Sequence, residues 1–173
     1  MAFISISITK NHPLILGKGG FGRQLADWLS AEGWGEAEFL DDSAPGCVGG
    51  LRDYADPKLL KPGRPAFVAL GDNALRVELL QKLAAAGYDT PVFISDMAAV
   101  SPSAVLEPGC VILPQAYVGA DAHLGVGCII NGGAIVDHDA VLGRGVHVAP
   151  GGIVKAGAEV EALTKVDSGE IIK

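Results

Sequence analysis

The residues best suited to chemistry lie in the segment 131–148, NGGAIVDHDAVLGRGVHV. Most of it is glycine, alanine and aliphatic residues, yet it carries His138 and His147, with Asp137 and Asp139 on either side of the first histidine. A neighbouring carboxylate can hold an imidazole in one tautomer and raise its basicity, as a general base requires. The alternative is that both imidazoles are solvated surface groups.

A metal site is a further possibility for the histidines. A zinc site built from histidines needs three neutral imidazoles that converge on the metal ion. His123, His138 and His147 are separated by 15 and 9 residues, so neither spacing puts two ligands on one short segment. We therefore expect no metal.

A second candidate site is the glycine-rich stretch LGKGGFGRQL, residues 16–25. It follows a predicted strand and opens a helix, a setting in which backbone N–H groups can hold a phosphate. Asp41 and Asp42 end the next strand, 24 residues after Gly17, where a carboxylate can accept from a ribose hydroxyl. The alternative is a tight turn without a ligand. The small size of the sheet favours a mononucleotide group over a dinucleotide.

Composition limits the classes of function. The chain has 173 residues, of which 49% are hydrophobic, and its formal charge is −7, which argues against nucleic-acid binding through phosphates. Its three cysteines form no CxxC, so we expect reduced core thiols in a cytoplasmic protein. No apolar run approaches the ~20 residues that span a bilayer. The start, MAFISISITK, alternates like a strand and lacks the basic region of a signal peptide.

The elements that position these residues fall into two domains. Residues 1–97 alternate between predicted strands and helices, which favours a Rossmann-like α/β domain with a small parallel sheet. The helix NALRVELLQKLAAAG has Asn73 as its expected N-cap, and the following TPVFIS is expected to be a fourth strand of that sheet.

Residues 98–173 follow a different period. Twelve consecutive hexads cover 101–172, each ending in an aliphatic residue, with a small residue two positions earlier in nearly every one. A six-residue repeat is typical of a solenoid. We predict a left-handed parallel β-helix of about four coils. His138 is second in its hexad, near a corner, whereas His123 and His147 are fifth and are expected to point outward.

The two halves together resemble bacterial hexapeptide-repeat sugar acetyltransferases, of the UDP-4-amino-sugar N-acetyltransferase and sialic-acid O-acetyltransferase type. The resemblance covers almost the whole chain. It rests on the motifs LILGKGGFG, FLDD, ALGDNALR, SPSAVLEPGCVI and, above all, IVDHDAVLGRGVHVAPGG.

The resemblance implies a homotrimeric enzyme that transfers an acetyl group from acetyl-CoA to the amine of a UDP-activated amino sugar. His138 would be the general base, oriented by Asp139, and acetyl-CoA would contact His147 and Ala156. The nucleotide-sugar would be held by the amino-terminal domain, through Gly19, Gly20, Phe21, Asp41, Asp42 and Gly71.

Two alternatives stay open. O-acetylation of a sialic acid would use the same base. A non-catalytic trimeric scaffold that binds a sugar nucleotide is the other, because this chain ends sooner after its active-site coil than family members usually do. Family members often have histidine or another polar residue at the position of Phe21, which bears on the contacts made with the sugar.

Overall fold

The computed structural model describes residues 12–59 and 61–173, so the strand-like start of the chain lies outside the described residues. The amino-terminal part is a sheet of three parallel strands in the order β2-β1-β3, with a helix after β1 and another after β3. The elements are β1 (Leu14–Leu16), α1 (Gly20–Ala31), β2 (Glu38–Leu40), a 3-10 turn (Asp53–Ala55), β3 (Ala66–Val68) and α2 (Asn73–Ala86).

Two details of this α/β unit differ from the sequence-based expectation. TPVFIS forms a strand, β4 (Phe93–Ile94), but β4 pairs with the β-helix, through Phe93 and Val111, instead of joining the sheet. It is therefore the first strand of the first coil. The N-cap of α2 is Asp72, whose side chain accepts from the N–H of Leu75 at 2.9 Å, and Asn73 is the first helical residue.

The rest of the chain is a parallel β-helix of about four coils, which confirms the predicted architecture. Its two-residue strands stack into three faces. Face 1 contains β4, β7 (Val111–Ile112), β10 (Ile129–Ile130), β13 (His147–Val148) and β16 (Lys165–Val166). Face 2 contains β5 (Ala99–Val100), β8 (Tyr117–Val118), β11 (Ile135–Val136), β14 (Ile153–Val154) and β17 (Ile171–Ile172). Face 3 contains β6 (Val105–Leu106), β9 (His123–Leu124), β12 (Val141–Leu142) and β15 (Glu159–Val160).

The core of the β-helix is built from the two hexad positions that the sequence marks as inward. The sixth-position aliphatics and the fourth-position small residues form one buried cluster, in which Cys110 and Cys128 serve as small apolar side chains. Glu170, which stands at the fourth hexad position where nearly every other hexad has a small residue, is exposed in the last coil. The period of six thus determines which side chains fill the interior.

The corners between faces depend on a left-handed backbone at the third position of the hexad. Glycine occupies most of these positions, and the exceptions with positive φ are Gln115, Asp121, Asp139 and Leu163. Residues other than glycine are strained in this backbone conformation, although aspartate tolerates it better than most. Asp139 therefore stands beside His138 on a sharply constrained backbone.

Helix α2 packs along one corner, which we call the helix-facing corner: residues 107–110, 125–128, 143–146 and 161–164, between face 3 and face 1. A Cβ at Gly127 would lie 2.6 Å from Leu80 Cδ1, and one at Gly145 would lie 2.7 Å from Val77 Cγ2. Glycine is thus needed there twice over, for the left-handed backbone and for the close approach of the helix.

We expect Gly127→Ala to lower the free energy of unfolding by about 2–5 kcal/mol, of which ~1–2 comes from the left-handed backbone and ~1–3 from overpacking against Leu80. Gly151→Ala is the matched control: its φ is +68°, but a Cβ there meets nothing within 4 Å. Gly151→Ala should lower the free energy of unfolding only through the left-handed backbone, by about 1–2 kcal/mol. Urea denaturation of both variants checks this, and equal losses would contradict the packing role of Gly127.

Candidate active site

His138 and Asp139 form a contacting pair on the β-helix surface. Nδ1 of His138 lies 2.7 Å from Oδ2 of Asp139, and the His138 side chain is 58% exposed. Because a carboxylate only accepts, Nδ1 is the protonated nitrogen in this pair. Nε2 then carries the lone pair, and it makes no hydrogen bond to any part of the chain that the structure describes.

The two aspartates beside His138 have different tasks. Asp137 accepts the backbone N–H of His138 through Oδ1 at 2.8 Å, which stabilises the turn. Asp139 contacts the imidazole itself. The hydrogen bond to Asp139, followed by the negative charge of Asp137, raises the pKa of His138 above its usual value. The imidazole is thus made more basic and is oriented at the same time.

Ala156 lies next to His138, one coil further along the same corner. We call this corner, between face 2 and face 3, the His138 corner: residues 101–104, 119–122, 137–140 and 155–158. The N–H of Gly157 donates to the carbonyl of His138 at 3.0 Å, which joins the two coils. The N–H of Ala156 has no hydrogen-bond partner within residues 12–59 and 61–173, and Ala156 is exposed.

His147 lies in a different environment, on face 1. It pairs in register with Ile129 and Lys165, and its Nε2 lies 3.4 Å from Nδ2 of Asn131. The residue is half-buried and not freely outward as its hexad position suggested. Burial, followed by the positive charges of Arg76 and Lys165, lowers the pKa of His147 to about 4. It is therefore a neutral imidazole at neutral pH.

The fold places His138 and His147 on opposite sides of one coil. His138 lies in the turn between β11 and β12, which join face 2 to face 3. His147 lies on β13, in face 1, and face 1 is the side opposite that corner of a three-sided coil. One chain therefore does not bring the two histidines together.

The predicted nucleotide-sugar residues, by contrast, gather at one edge of the α/β sheet. Gly19 and Gly20 follow β1, Asp41 and Asp42 follow β2, and Gly71 follows β3, so all lie at the carboxyl edge of three parallel strands. A Cβ on Gly19, Gly20 or Gly71 would meet nothing within 4 Å. This edge has room for a ligand beside the amino end of α1.

The carboxylates at this edge are already engaged by the backbone. Asp41 accepts from the N–H groups of Lys18 at 2.7 Å and of Ser43 and Ala44 at 2.9 Å, and these bonds lower its pKa to about 2. Asp42 accepts from the N–H of Leu51 at 2.8 Å. Both carboxylates hold the loop after β2 in place.

Phe21 of α1 is also partly occupied in packing. It lies half-buried against the apolar cluster that joins the α/β sheet to face 1, a cluster that includes Phe93, Val111 and Ile129. The face-1 side of the β-helix is therefore the side that carries the α/β domain.

A cavity of about 740 Å³ flanks β2 and the loop before β3, lined in part by His12, Glu38, Phe39 and Arg64. None of the predicted nucleotide-sugar residues lines it. Within the described ranges, no group of three or more histidine, cysteine or acidic side chains is arranged to hold a metal ion. Over the same ranges, no helix is long and apolar enough to cross a membrane.

Arg76 is a buried residue that the sequence analysis did not single out. It lies in the first turn of α2 and is only 1% exposed. The available signal was its position on the apolar stripe of the helix, three, four and seven residues before Leu79, Leu80 and Leu83, all of which are buried. An arginine on such a stripe indicates a buried cation with fixed partners.

Comparison with known proteins identifies the family. Residues 14–83 match the PglD N-terminal domain family. The chain is 33% identical to the acetyltransferase domain of PglB from Neisseria gonorrhoeae, solved in complex with acetyl coenzyme A, over 94% of this chain and 87% of that one, with a TM-score of 0.76. The chain belongs to the bacterial hexapeptide-repeat sugar acetyltransferases. The predicted family and an acetyl-CoA-dependent acetyltransferase activity are thereby confirmed.

Two further structures resemble this acetyltransferase. One is a mutant of perosamine N-acetyltransferase from Caulobacter crescentus, in which a histidine is replaced by asparagine, in complex with CoA and GDP-perosamine. The match has 29% identity, a TM-score of 0.80, and covers 89% of this chain and 76% of that one. The other is PerB from the same organism with the same two ligands, at 28% identity and TM-score 0.67, covering 90% and 91% of the two chains.

Proposed function

We propose that this acetyltransferase moves the acetyl group of acetyl-CoA to the amine of a UDP-activated amino sugar, with His138 as the general base and with each active site built from two chains of a homotrimer. The observation that carries the proposal is the His138–Asp139 pair, an exposed imidazole whose Nδ1 is fixed by a carboxylate at 2.7 Å.

The chemistry assigns one task to each nitrogen of His138. The sugar amine attacks the thioester carbonyl, and Nε2 takes the proton that the amine loses as the new C–N bond forms. The C–S bond then breaks, and the sulfur leaves as the thiolate of CoA. Nδ1–H stays bonded to Asp139, which stabilises the imidazolium through its charge.

We propose that the N–H of Ala156 assists this transfer. It lies one coil from His138, on the same exposed corner, and is not used by the fold within the described residues. The thioester oxygen gains negative charge as the amine attacks. A backbone donor aimed at such an oxygen stabilises the transition state, and removal of one comparable donor elsewhere costs ~10²–10³-fold in turnover.

The arrangement of the residues supports a site built from two chains. His138 lies on the corner opposite face 1, whereas the nucleotide-sugar edge and His147 lie on the face-1 side. A symmetric oligomer can place the His138 corner of one chain against the face-1 side of the next, and a cyclic trimer does so three times.

Exposed apolar side chains flank the His138 corner on both sides. Tyr117, Ile135 and Ile171 on face 2 are 43%, 36% and 49% exposed, and Val105 and Val141 on face 3 are 53% and 44% exposed. On face 2 these side chains stack with Ile153 in one column, whereas on face 3 His123 stands between the two valines. An exposed apolar column is typical of an interaction surface. These side chains support a subunit contact at the corner where the chemistry is proposed to occur.

The test is release of free thiol from acetyl-CoA in the presence of a panel of acceptors: UDP-4-amino sugars, GDP-perosamine and sialic acids. Turnover with a UDP-amino sugar is the expected result. Turnover only with GDP-perosamine would show that the acceptor sugar carries GDP instead of UDP. Turnover only with sialic acids would make the enzyme an O-acetyltransferase. Failure with every acceptor, together with no thermal stabilisation by CoA, would favour the non-catalytic scaffold.

The pH dependence should report the contact between His138 and Asp139. Because the carboxylate raises the pKa of His138, the base becomes protonated, and activity falls, at a higher pH than for an unperturbed imidazole. Asp139→Asn should move this acid limb to lower pH and reduce the maximal rate. Asn also tolerates the left-handed backbone, so the fold should persist.

Asp121→Asn is the matched control for this profile. Asp121 occupies the same turn position one coil earlier, with φ of +57° against +60° for Asp139. It has no histidine beside it in sequence. Replacement of Asp121 should leave the acid limb of the pH profile unchanged. An equal shift in both variants would show that Asp139 does not specifically raise the pKa of His138.

A further inference from the structure

Arg76 occupies a position that is costly for a cation. It is 1% exposed, and it lies in the first turn of α2, where the partial positive charge of the helix end disfavours another positive charge. Burial lowers its pKa to about 10. An apolar side chain of similar volume would dock the helix without this cost.

The guanidinium is compensated by four oxygen acceptors from three parts of the molecule. Nη1 donates to the carbonyl of Leu70 at 2.8 Å, and Nη2 to the side-chain oxygen of Asn73 at 2.8 Å. Nε donates to the carbonyl of Gly127 at 2.9 Å, and Nη2 to that of Gly145 at 2.7 Å. Only the planar fork of arginine can serve acceptors in so many directions at once.

These acceptors connect the two ends of the proposed site. Leu70 immediately precedes Gly71, at the proposed nucleotide-sugar edge. Gly145 lies two residues before His147, which is proposed to contact acetyl-CoA. Arg76 therefore bonds directly to the loop that would hold one substrate and to the coil that would hold the other.

We propose that Arg76 is a positioning residue of the acetyl transfer. It holds the loop around Gly71 to the corner carbonyls near His147, so that the nucleotide-sugar edge and the part of face 1 that carries His147 keep a fixed relative position. The proposal rests on the proposed function. Fixed geometry of this kind matters because a misplacement of about 1 Å at reacting groups can cost ~10²-fold in rate.

Electrostatics supports the same link. The charged groups that bear on His147 are Arg76, from α2, and Lys165, from the next coil of face 1, and both disfavour the imidazolium. Asn131, the polar neighbour of the ring, is neutral. Loss of the Arg76 charge should therefore raise the pKa of His147.

The experiment compares Arg76→Lys and Arg76→Met with Leu80→Ala as a matched control. Leu80 also docks α2 on the helix-facing corner, against Gly109 and Gly127, but it makes none of the hydrogen bonds of Arg76. All variants are assayed at a temperature at which circular dichroism shows them folded. Arg76→Lys keeps a positive charge but cannot reach all four acceptors.

We expect Arg76→Lys to lower kcat/KM by roughly ten- to a hundredfold, with a raised KM for the nucleotide-sugar, because its loop is released. Leu80→Ala should change kcat/KM by less than about threefold in the folded state. In NMR titrations, the midpoint of His147 should rise in Arg76→Met and stay unchanged in Leu80→Ala. If Leu80→Ala changed kcat/KM and the His147 midpoint as much as the Arg76 variants do, Arg76 would only dock the helix, and the proposal would be overturned.

Failure of the proposed function gives a different pattern. In that case the wild type itself shows no turnover with any acceptor. Affinity for CoA and for UDP, measured by calorimetry, then replaces the kinetic comparison. Weaker binding in Arg76→Lys but not in Leu80→Ala, with the His147 shift in Arg76→Met, would support the positioning role, and unchanged binding and titration would refute it.

Discussion

Replacing His138 with alanine should lower turnover of acetyl-CoA with the preferred acceptor by about 10²–10⁴-fold, the usual contribution of a positioned general base. Most of the loss should appear in kcat, because the base acts as the new bond forms and contributes little to the binding of either substrate. The exposed imidazole fills no core volume, so the thermal stability of the variant should match that of the wild type. Steady-state thiol release, with a melting curve for each protein, checks both expectations.

The matched control is His123→Ala. His123 is likewise an exposed histidine of the β-helix paired with a carboxylate, with Nε2 2.9 Å from Oε1 of Glu107. It lies on face 3, in register with Val141, but its ring is turned toward Glu107 on the helix-facing corner and so away from the His138 corner. Its loss should leave turnover within about twofold of the wild type, as expected for a surface substitution. If both variants lose activity alike, or if neither does, His138 is not the base.

Mixing two inactive variants should restore part of the activity, and this is the second large effect. The first variant is His138→Ala. The second is Gly71→Trp, which fills the proposed nucleotide-sugar edge at a position where a Cβ meets nothing within 4 Å, so the chain should still fold. Each variant alone should be nearly inactive. In trimers that contain both variants, about a third of the sites would combine an intact His138 from one chain with an intact Gly71 from its neighbour.

The recovery discriminates between one-chain and two-chain sites because a one-chain site never regains both residues. Coexpression of differently tagged chains, with tandem purification of mixed oligomers, supplies the sample. Mixing His138→Ala with His138→Asn is the control and should recover nothing. If the His138→Ala and Gly71→Trp mixture stays inactive while mixed oligomers form, the site lies within one chain and the proposed arrangement is wrong.

Much of the β-helix was predictable because its rule is local. Each strand is two residues long and each turn follows at once, so the pattern of six decides which side chains point inward. The same pattern correctly placed His138 near a corner and His123 on the surface. The α/β part was less predictable, because TPVFIS is apolar enough for either sheet, and only pairing with Val111 assigns it to the first coil.

The candidate site divides in the same way. The sequence indicated a histidine between two carboxylates, but the constrained turn decides that Asp139 contacts the ring while Asp137 binds the backbone. Asp41 and Asp42 reached the predicted edge, yet backbone N–H groups near in space bind both oxygens of Asp41 and one oxygen of Asp42. A linear pattern does not reveal which donors a loop brings to a carboxylate.

By itself, the sequence determined the repeat, the inward and outward positions, the family and the position of the exposed histidine, because all of these follow from short-range spacing and motif. Only the tertiary structure decided the environment of His147 and the existence of the Arg76 link. Both arise where the α/β domain packs on face 1 and on the helix-facing corner. Packing joins residues 69 positions apart, such as Arg76 and Gly145, and no local period encodes such a contact.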